Sequence, residues 1–199
     1  MKKYTKRPEP DKAEIEKRRE SIDAIIEKYS CPPDYMEDRD RYFMRAAAEL
    51  AELAVKYDDV PVGCVIVRDG SILTGDCNSK EFFRNPVNHA EMNAIGKASE
   101  KLGGWRLTRC ELYVTLEPCP MCTGAIWAAR IPRVVIGAKD PKHGAYGSVL
   151  DMNGYNLNHM PDVVFGVMED ECSQLLKDFF AFKRNKKEDS SAGDEESAT

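Results

Sequence analysis

Two short segments, His89-Ala90-Glu91 and Pro118-Cys119-Pro120-Met121-Cys122, limit what this chain can fold into more than any other feature. Cys119 and Cys122 are three apart where a helix is expected to open, so both sulfurs face the same way. His89 and Glu91 are two apart, a spacing that shares one side only where the chain enters a helix. The polar stretch over 78–88 supplies such an entry. If the histidine and the two cysteines hold one ion, the fold has to bring two helix N-termini together over it.

The donor set selects the ion. One histidine and two cysteines suit zinc, and three protein ligands leave the fourth tetrahedral position open, as in a catalytic site. Free amides and the positive end of the helix dipole favour thiolates at 119 and 122. Zinc lowers the pKa of a bound water from about 15.7 to about 7. Glu91 is then the expected proton shuttle, taking a proton from that water, delivering it to a ring nitrogen and passing another to the leaving ammonia. It can do so only from outside the ligand set. H-x-E followed by P-C-x-x-C is the known signature of zinc-dependent nucleobase deaminases, so the match is to an established pattern. The competing reading is a structural zinc knuckle. That needs a fourth protein ligand, for which His143, His159 and Cys110 are the candidates. A lone C-x-x-C is weak, whereas H-A-E, an intervening strand and a helix opened by P-C-x-x-C together are specific.

Composition sets the surroundings. The 199 residues suit one domain with extra length at its ends, and 42% hydrophobic content supports a real core. No apolar run approaches the roughly 20 residues of a membrane span. The basic segment Met1-Lys2-Lys3-Tyr4-Thr5-Lys6-Arg7 is not followed by an apolar stretch, so it is no secretory signal. A cytoplasmic protein with no membrane association is expected. Seven cysteines, an odd count, argue against a disulfide framework, and Cys64, Cys110 and Cys172 read as small core residues. The net charge of -5 differs from the basic excess common among nucleic-acid binders. Glu188, Asp189, Asp194, Glu195 and Glu196 carry five of the negative charges, leaving the rest about neutral. Any RNA contact therefore has to use a local basic patch.

Three regions are expected: a charged extension over 1–37, a zinc-dependent domain over 38–185 and a disordered acidic tail over 186–199. Ile15, Ile22, Ile25 and Ile26 make a short amphipathic helix over 14–28, ended by Cys31-Pro32-Pro33. Apolar residues at helical spacing predict a core-facing helix over 40–57. A β-branched run over 62–67, the turn Asp69-Gly70 and a returning run over 72–76 predict a hairpin. A helix over 91–102 stops at Gly103-Gly104. A strand over 112–115, a helix over 120–130, strands over 134–137 and 163–167 and a closing helix over 169–184 complete the order. The fold class is α/β, a three-layer α-β-α arrangement with a mixed five-stranded sheet and helices on both faces. Phe179 and Phe180 read as core-facing, and Trp105 and Trp127 as core or interface residues.

Val60-Pro61-Val62-Gly63, Asn78, His89-Ala90-Glu91-Met92, the run from Tyr113 to Cys122 and Gly144-Ala145-Tyr146-Gly147-Ser148 resemble the bacterial tRNA-specific adenosine deaminases. The likeness runs over about 40–184. It implies a cytidine deaminase-like fold, a homodimer, one zinc per subunit and hydrolysis of adenosine to inosine at the wobble position of a transfer RNA anticodon. By that likeness His89, Cys119 and Cys122 hold zinc and Glu91 moves protons. Val60, Asn78, Ala90 and Asp140 would contact the substrate, and Asn78 can both donate to and accept from a purine edge. Phe182 with Lys183, Arg184, Lys186 and Lys187 would offer stacking and phosphate contacts. The chain departs from the family in its longer N-terminal extension, in Asn85-Pro86-Val87-Asn88 before His89, and in Tyr146 where a small residue is usual. The alternative is a deaminase of a free base or nucleoside, of guanine, cytosine or adenosine type, with the same zinc chemistry.

Overall fold

The computed structural model describes residues 8–30 and 38–192, with side chains through Lys186. Helix α1 (Lys12–Lys28) opens with a capping box between Asp11 and Glu14. Helix α2 (Arg39–Lys56) opens at Asp38, whose side chain accepts from the Arg41 N–H at 2.9 Å. Its Phe43, Ala46, Ala47, Leu50, Leu53 and Ala54 are buried on one side, which is why the periodicity is so legible. Strands β1 (Gly63–Arg68) and β2 (Ser71–Cys77) form the hairpin, turning at Asp69 (φ 52°) and Gly70 (φ 84°). Positive φ at both turn residues matches the right-handed twist of the strands.

A short helix α3 (Lys80–Phe83) then leads to α4 (Ala90–Leu102), which ends at Gly103 with φ 65°. Strand β3 (Cys110–Leu116), helix α5 (Pro120–Ala128), strand β4 (Arg133–Ala138), a 3-10 turn at Met152–Gly154, strand β5 (Asp162–Phe165) and helix α6 (Glu169–Ala192) follow. The sheet order is β2-β1-β3-β4-β5. β1 runs antiparallel to both β2 and β3, while β3, β4 and β5 are parallel. The C-terminal ends of β2, β3 and β4 and the start of β1 therefore lie along one edge.

Alternation along the strands divides the core in two. Val65, Val67, Tyr113 and Val135 pack with α1, α2 and Cys172 of α6. Cys64, Ile66, Leu112, Val114, Val134 and Ile136 pack with Ala90, Ala94 and Ala98 of α4 and Ile126 of α5. The result is the expected three-layer α-β-α fold. Gly63 is required by a close approach: a Cβ there would overlap the Ala47 carbonyl of α2.

Four details differ from the sequence reading. The polar stretch before His89 contains α3, one turn too short for periodicity to register. Helix α6 runs to Ala192, into the tail expected to be disordered. Phe179 is buried as expected, but Phe180 is 45% exposed. Trp105, expected in the core or at an interface, is not in the core: it is 52% exposed and stacks against Arg106, 4.1 Å from ring centroid to guanidinium carbon. The Cys31-Pro32-Pro33 helix stop and the last residues of the acidic tail lie outside the described residues. No helix among the described residues is long and apolar enough to cross a membrane.

Candidate active site

His89 is the N-cap of α4 and Cys119 the N-cap of α5, with Cys122 in the first turn of α5. Strand β3 ends immediately before Glu117-Pro118-Cys119, and Pro120 takes the first helical position, where its missing N–H is not needed. Two helix N-termini thus face one another beyond the strand ends, where open α/β sheets place their ligands. The Cys119 and Cys122 sulfurs are 3.7 Å apart, and His89 Nδ1 is 3.8 Å from the first and 3.6 Å from the second. Tetrahedral zinc with ordinary Zn–S and Zn–N bonds separates two sulfurs by about 3.8 Å and a sulfur from a nitrogen by about 3.6 Å. The three donor atoms already stand at zinc-binding separations.

The alternative fourth ligands are elsewhere. His143 is an exposed partner of Asp140 at 3.4 Å, and His159 Nε2 lies 2.8 Å from the Ile131 carbonyl. Cys110 begins β3, at the opposite end of the strand from Cys119. Among the described residues only His89, Cys119 and Cys122 cluster as metal ligands. That leaves the fourth position without a protein group and speaks against the zinc knuckle.

Protons reveal what the trio is built for. A hydrogen bond from Cys122, working against burial and aided by His89, pulls the Cys119 thiol down to about 4. The same hydrogen bond and burial push Cys122 up, and the contact with Cys119 raises His89. A metal ion binds thiolates and a neutral imidazole, so a bound dication takes the place of protons on these three groups. Glu91, in the first turn of α4, is 3% exposed, and burial pushes its carboxyl above the usual carboxylate range. Its neighbours His89 and Cys122 both act on its titration.

The expected substrate residues lie along the same edge. Asn78 follows β2 and is 6% exposed. Its Nδ2 donates to the Val60 carbonyl at 3.1 Å, and its Oδ1 accepts from the Ala90 N–H at 2.9 Å. One side chain thus ties Val60, Asn78 and Ala90 together, retaining one amide hydrogen and one lone pair. Ala90 is fully buried. Asp140 follows β4, and its Oδ1 accepts from the N–H groups of Lys142 (2.9 Å) and His143 (3.2 Å).

Glu117 was not singled out by the sequence. It is 2% exposed, and its carboxylate accepts from the backbone N–H of Asp140 (3.1 Å), Tyr146 (2.9 Å) and Ser148 (3.2 Å) and from the Ser148 hydroxyl. A Cβ at Gly144 would overlap this carboxylate. Glu117 is therefore a clasp: it sits two residues before Cys119 and holds the 140–148 loop against that segment, where the Ala145 N–H donates to the Pro118 carbonyl at 2.9 Å. Its only sequence signal is a carboxylate at the end of an apolar strand, where the strand itself gives it no partner.

Residues 37–138 match the family model of the cytidine and deoxycytidylate deaminase zinc-binding region. The tRNA-specific adenosine deaminase of Bacillus subtilis (strain 168) is 42% identical over 150 residues, covering 75% of this chain and 93% of the relative. The chain belongs to the zinc-binding deaminase family. Its cofactor is zinc. A second relative of this deaminase, the tRNA-specific adenosine deaminase of Haemophilus influenzae, is 42% identical over 74% of the chain and 87% of the relative. A structure from studies of A-to-I editing by tRNA:A34 deaminases superposes with a TM-score of 0.66 at 41% identity, covering 68% of this chain and 99% of that one. The guanine deaminase of Nitrosomonas europaea shares the deaminase fold, with a TM-score of 0.62 at 21% identity and coverage of 78% and 92%.

Proposed function

We propose that this deaminase hydrolyses adenosine to inosine, with release of ammonia, at the wobble position of a transfer RNA anticodon. The observation that carries the chemistry is the His89, Cys119 and Cys122 triangle at zinc separations beside the buried carboxyl of Glu91. The substrate rests on the identity of 42% to relatives named for that activity.

The chemistry a bound zinc supplies is acidification of the attacking water, by several pKa units. His89 Nδ1 and the two sulfurs are the ligands. Glu91 is the proton carrier. Its carboxylate accepts a proton from the water and delivers it to a ring nitrogen of the adenine, so that C6 can accept the new C–O bond. It then takes the second proton from the hydroxyl now on C6 and delivers it to the exocyclic amine, the C6–O bond becomes the carbonyl, and the C–N bond breaks with ammonia as leaving group. Burial suits this role, because a raised pKa brings a carboxyl closer to the working pH. Asn78 holds the mouth and presents its remaining amide hydrogen and lone pair to the base.

The RNA meets the exposed lysines of the 139–142 loop and the end of α6, where Phe182 is 59% exposed and Arg184 and Lys186 are exposed. Lys183 already pairs with Asp58 and contributes less. The exposed Val149, Leu150 and Tyr155 support a homodimer. A transfer RNA substrate makes the cytoplasm the working compartment.

The test is to incubate the zinc-loaded protein with an anticodon stem-loop carrying adenosine at the first anticodon position and to sequence for adenosine-to-inosine change. Conversion is expected. Release of ammonia from free guanine, cytosine or adenosine, with the stem-loop unchanged, would favour the free-base alternative instead.

A further inference from the structure

Only Arg18 and Ile22 of α1 are buried, and the first is unexpected. A helix that merely covers apolar surface has no need to bury a cation, which is expensive to desolvate unless it is fully engaged. Arg18 is 5% exposed. Its Nη2 lies 2.6 Å from Asp76 Oδ1, 3.1 Å from the Cys77 carbonyl and 3.3 Å from the Cys77 sulfur. Its guanidinium carbon lies 6.0 Å from the ring centroid of Tyr57, 5.8 Å from that of Phe82 and 5.7 Å from that of Phe83.

These partners form the corner that becomes the substrate mouth. Asp76 and Cys77 end β2 and immediately precede Asn78. Phe82 and Phe83 are the rings of α3. The Asp59 carboxylate accepts from the N–H groups of Glu81 (3.0 Å) and Phe82 (3.1 Å), tying α3 to the segment that leads into Val60. On the far side, Asn93 of α4 donates to the Cys77 carbonyl (3.2 Å) and to the Ser79 hydroxyl (3.0 Å), and Lys97 pairs with Asp76 at 2.9 Å. Arg18 and α4 therefore grip the same two residues from opposite sides. The family match begins only at residue 37, after α1.

We propose that Arg18 is a positioning residue for the substrate mouth: through it, α1 braces the Cys77–Asn78 corner and the α3 turn so that Asn78 is presented to the base in one orientation. The inference rests on the deaminase reading for its substrate, and on geometry alone for the brace. Removing Arg18 leaves Asp76 still paired with Lys97 and with the Cys77 N–H at 2.7 Å, so the corner loosens without gaining an isolated buried charge.

The full-length, zinc-loaded protein is compared with Arg18→Met, Arg18→Lys and Ile22→Ala. Ile22, 1% exposed, reports the loss of α1 packing while every Arg18 hydrogen bond to Asp76 and Cys77 is kept. Arg18→Met is expected to raise KM for the anticodon stem-loop by about tenfold with kcat within about twofold and zinc content unchanged. Hydrogen exchange should speed up at the Asn78, Ser79 and Ala90 amides, which bond across the corner. Arg18→Lys should recover part of both effects, because the charge is kept while the planar fork is lost. Ile22→Ala should lower the melting temperature and leave KM and those amides unchanged. A merely structural Arg18 would give equal KM changes in Arg18→Met and Ile22→Ala at matched stability loss, or a lower melting temperature with KM and exchange unaltered; either overturns the proposal. If the unmodified protein fails to deaminate the stem-loop, the deaminase reading fails, and the exchange comparison still decides the brace.

Discussion

At the scale of single residues, the candidate metal trio and the carboxyl beside it carry a signal that is local. His89, Cys119 and Cys122 announce themselves by spacing and by the helix entries around them, and the structure brings their donor atoms to 3.6–3.8 Å. Glu91→Gln should keep the fold and one zinc per chain while turnover falls about 10²- to 10⁴-fold, the usual contribution of a positioned acid–base group. Metal analysis beside single-turnover rates checks this; loss of zinc would make Glu91 a ligand. Glu117 was not legible, because its partners lie 23 to 31 residues further along and no local rule pairs them. Glu117→Gln replaces one acceptor oxygen with a donor facing N–H groups. We expect a loss of about 1–3 kcal/mol, the range for leaving a buried hydrogen-bonding group unmatched. Denaturant unfolding measures the loss, and exchange at the Tyr146 and Ser148 amides should show its location.

At the scale of elements, long amphipathic helices and β-branched strands could be placed to within a few residues, because burial on one side repeats along each of them. Elements made by contacts rather than by pattern could not. Helix α3 has four residues and takes its place from Asp59 and Arg18. The docking of α1 depends on Arg18 meeting Asp76, 58 residues away. Another such contact joins α2 to the starts of β3 and β4. Arg133 reaches Asp40 at 2.6 Å and Glu111 at 2.9 Å, and Arg39 reaches Glu111 at 2.6 Å. The Arg133 hydrogen bond holds Asp40 below its ordinary value of 3.8. Burial pushes Glu111 up, but Arg39 and Arg133 together hold it below 4.5. Both folded-state values are depressed, so this stabilisation is fully present above the ordinary carboxylate values and is lost as pH falls through the lowered ones. Asp40→Asn should therefore melt below the unmodified protein at pH 7, and the gap should close as the pH is taken below about 3.8, as calorimetry across that window would show.

At the scale of the whole molecule, the site is a product of topology. A single antiparallel strand, β1, inside an otherwise parallel sheet sends Asn78, Glu117 and Asp140 to one edge with the start of β1 beside them. Both cores are built from side chains other than His89, Cys119 and Cys122, so chelation should abolish turnover and lower the melting temperature while leaving the far-UV circular dichroism spectrum folded. Saturating zinc at 100 times its Kd should restore about 2.7 kcal/mol. Light scattering is expected to give twice the chain mass, and Leu150→Asp to shift it toward a single chain. The Glu117 clasp carries one more consequence, for redesign. It rivets the near end of the outer loop to the metal-bearing segment, so a graft between Lys139 and Ser148 would tear the rivet out. Lengthening the chain beyond Leu150 adds reach outboard of it. A library built to admit bulkier bases has its cutting point there, and zinc retention across the two sets of inserts would show whether the rivet holds.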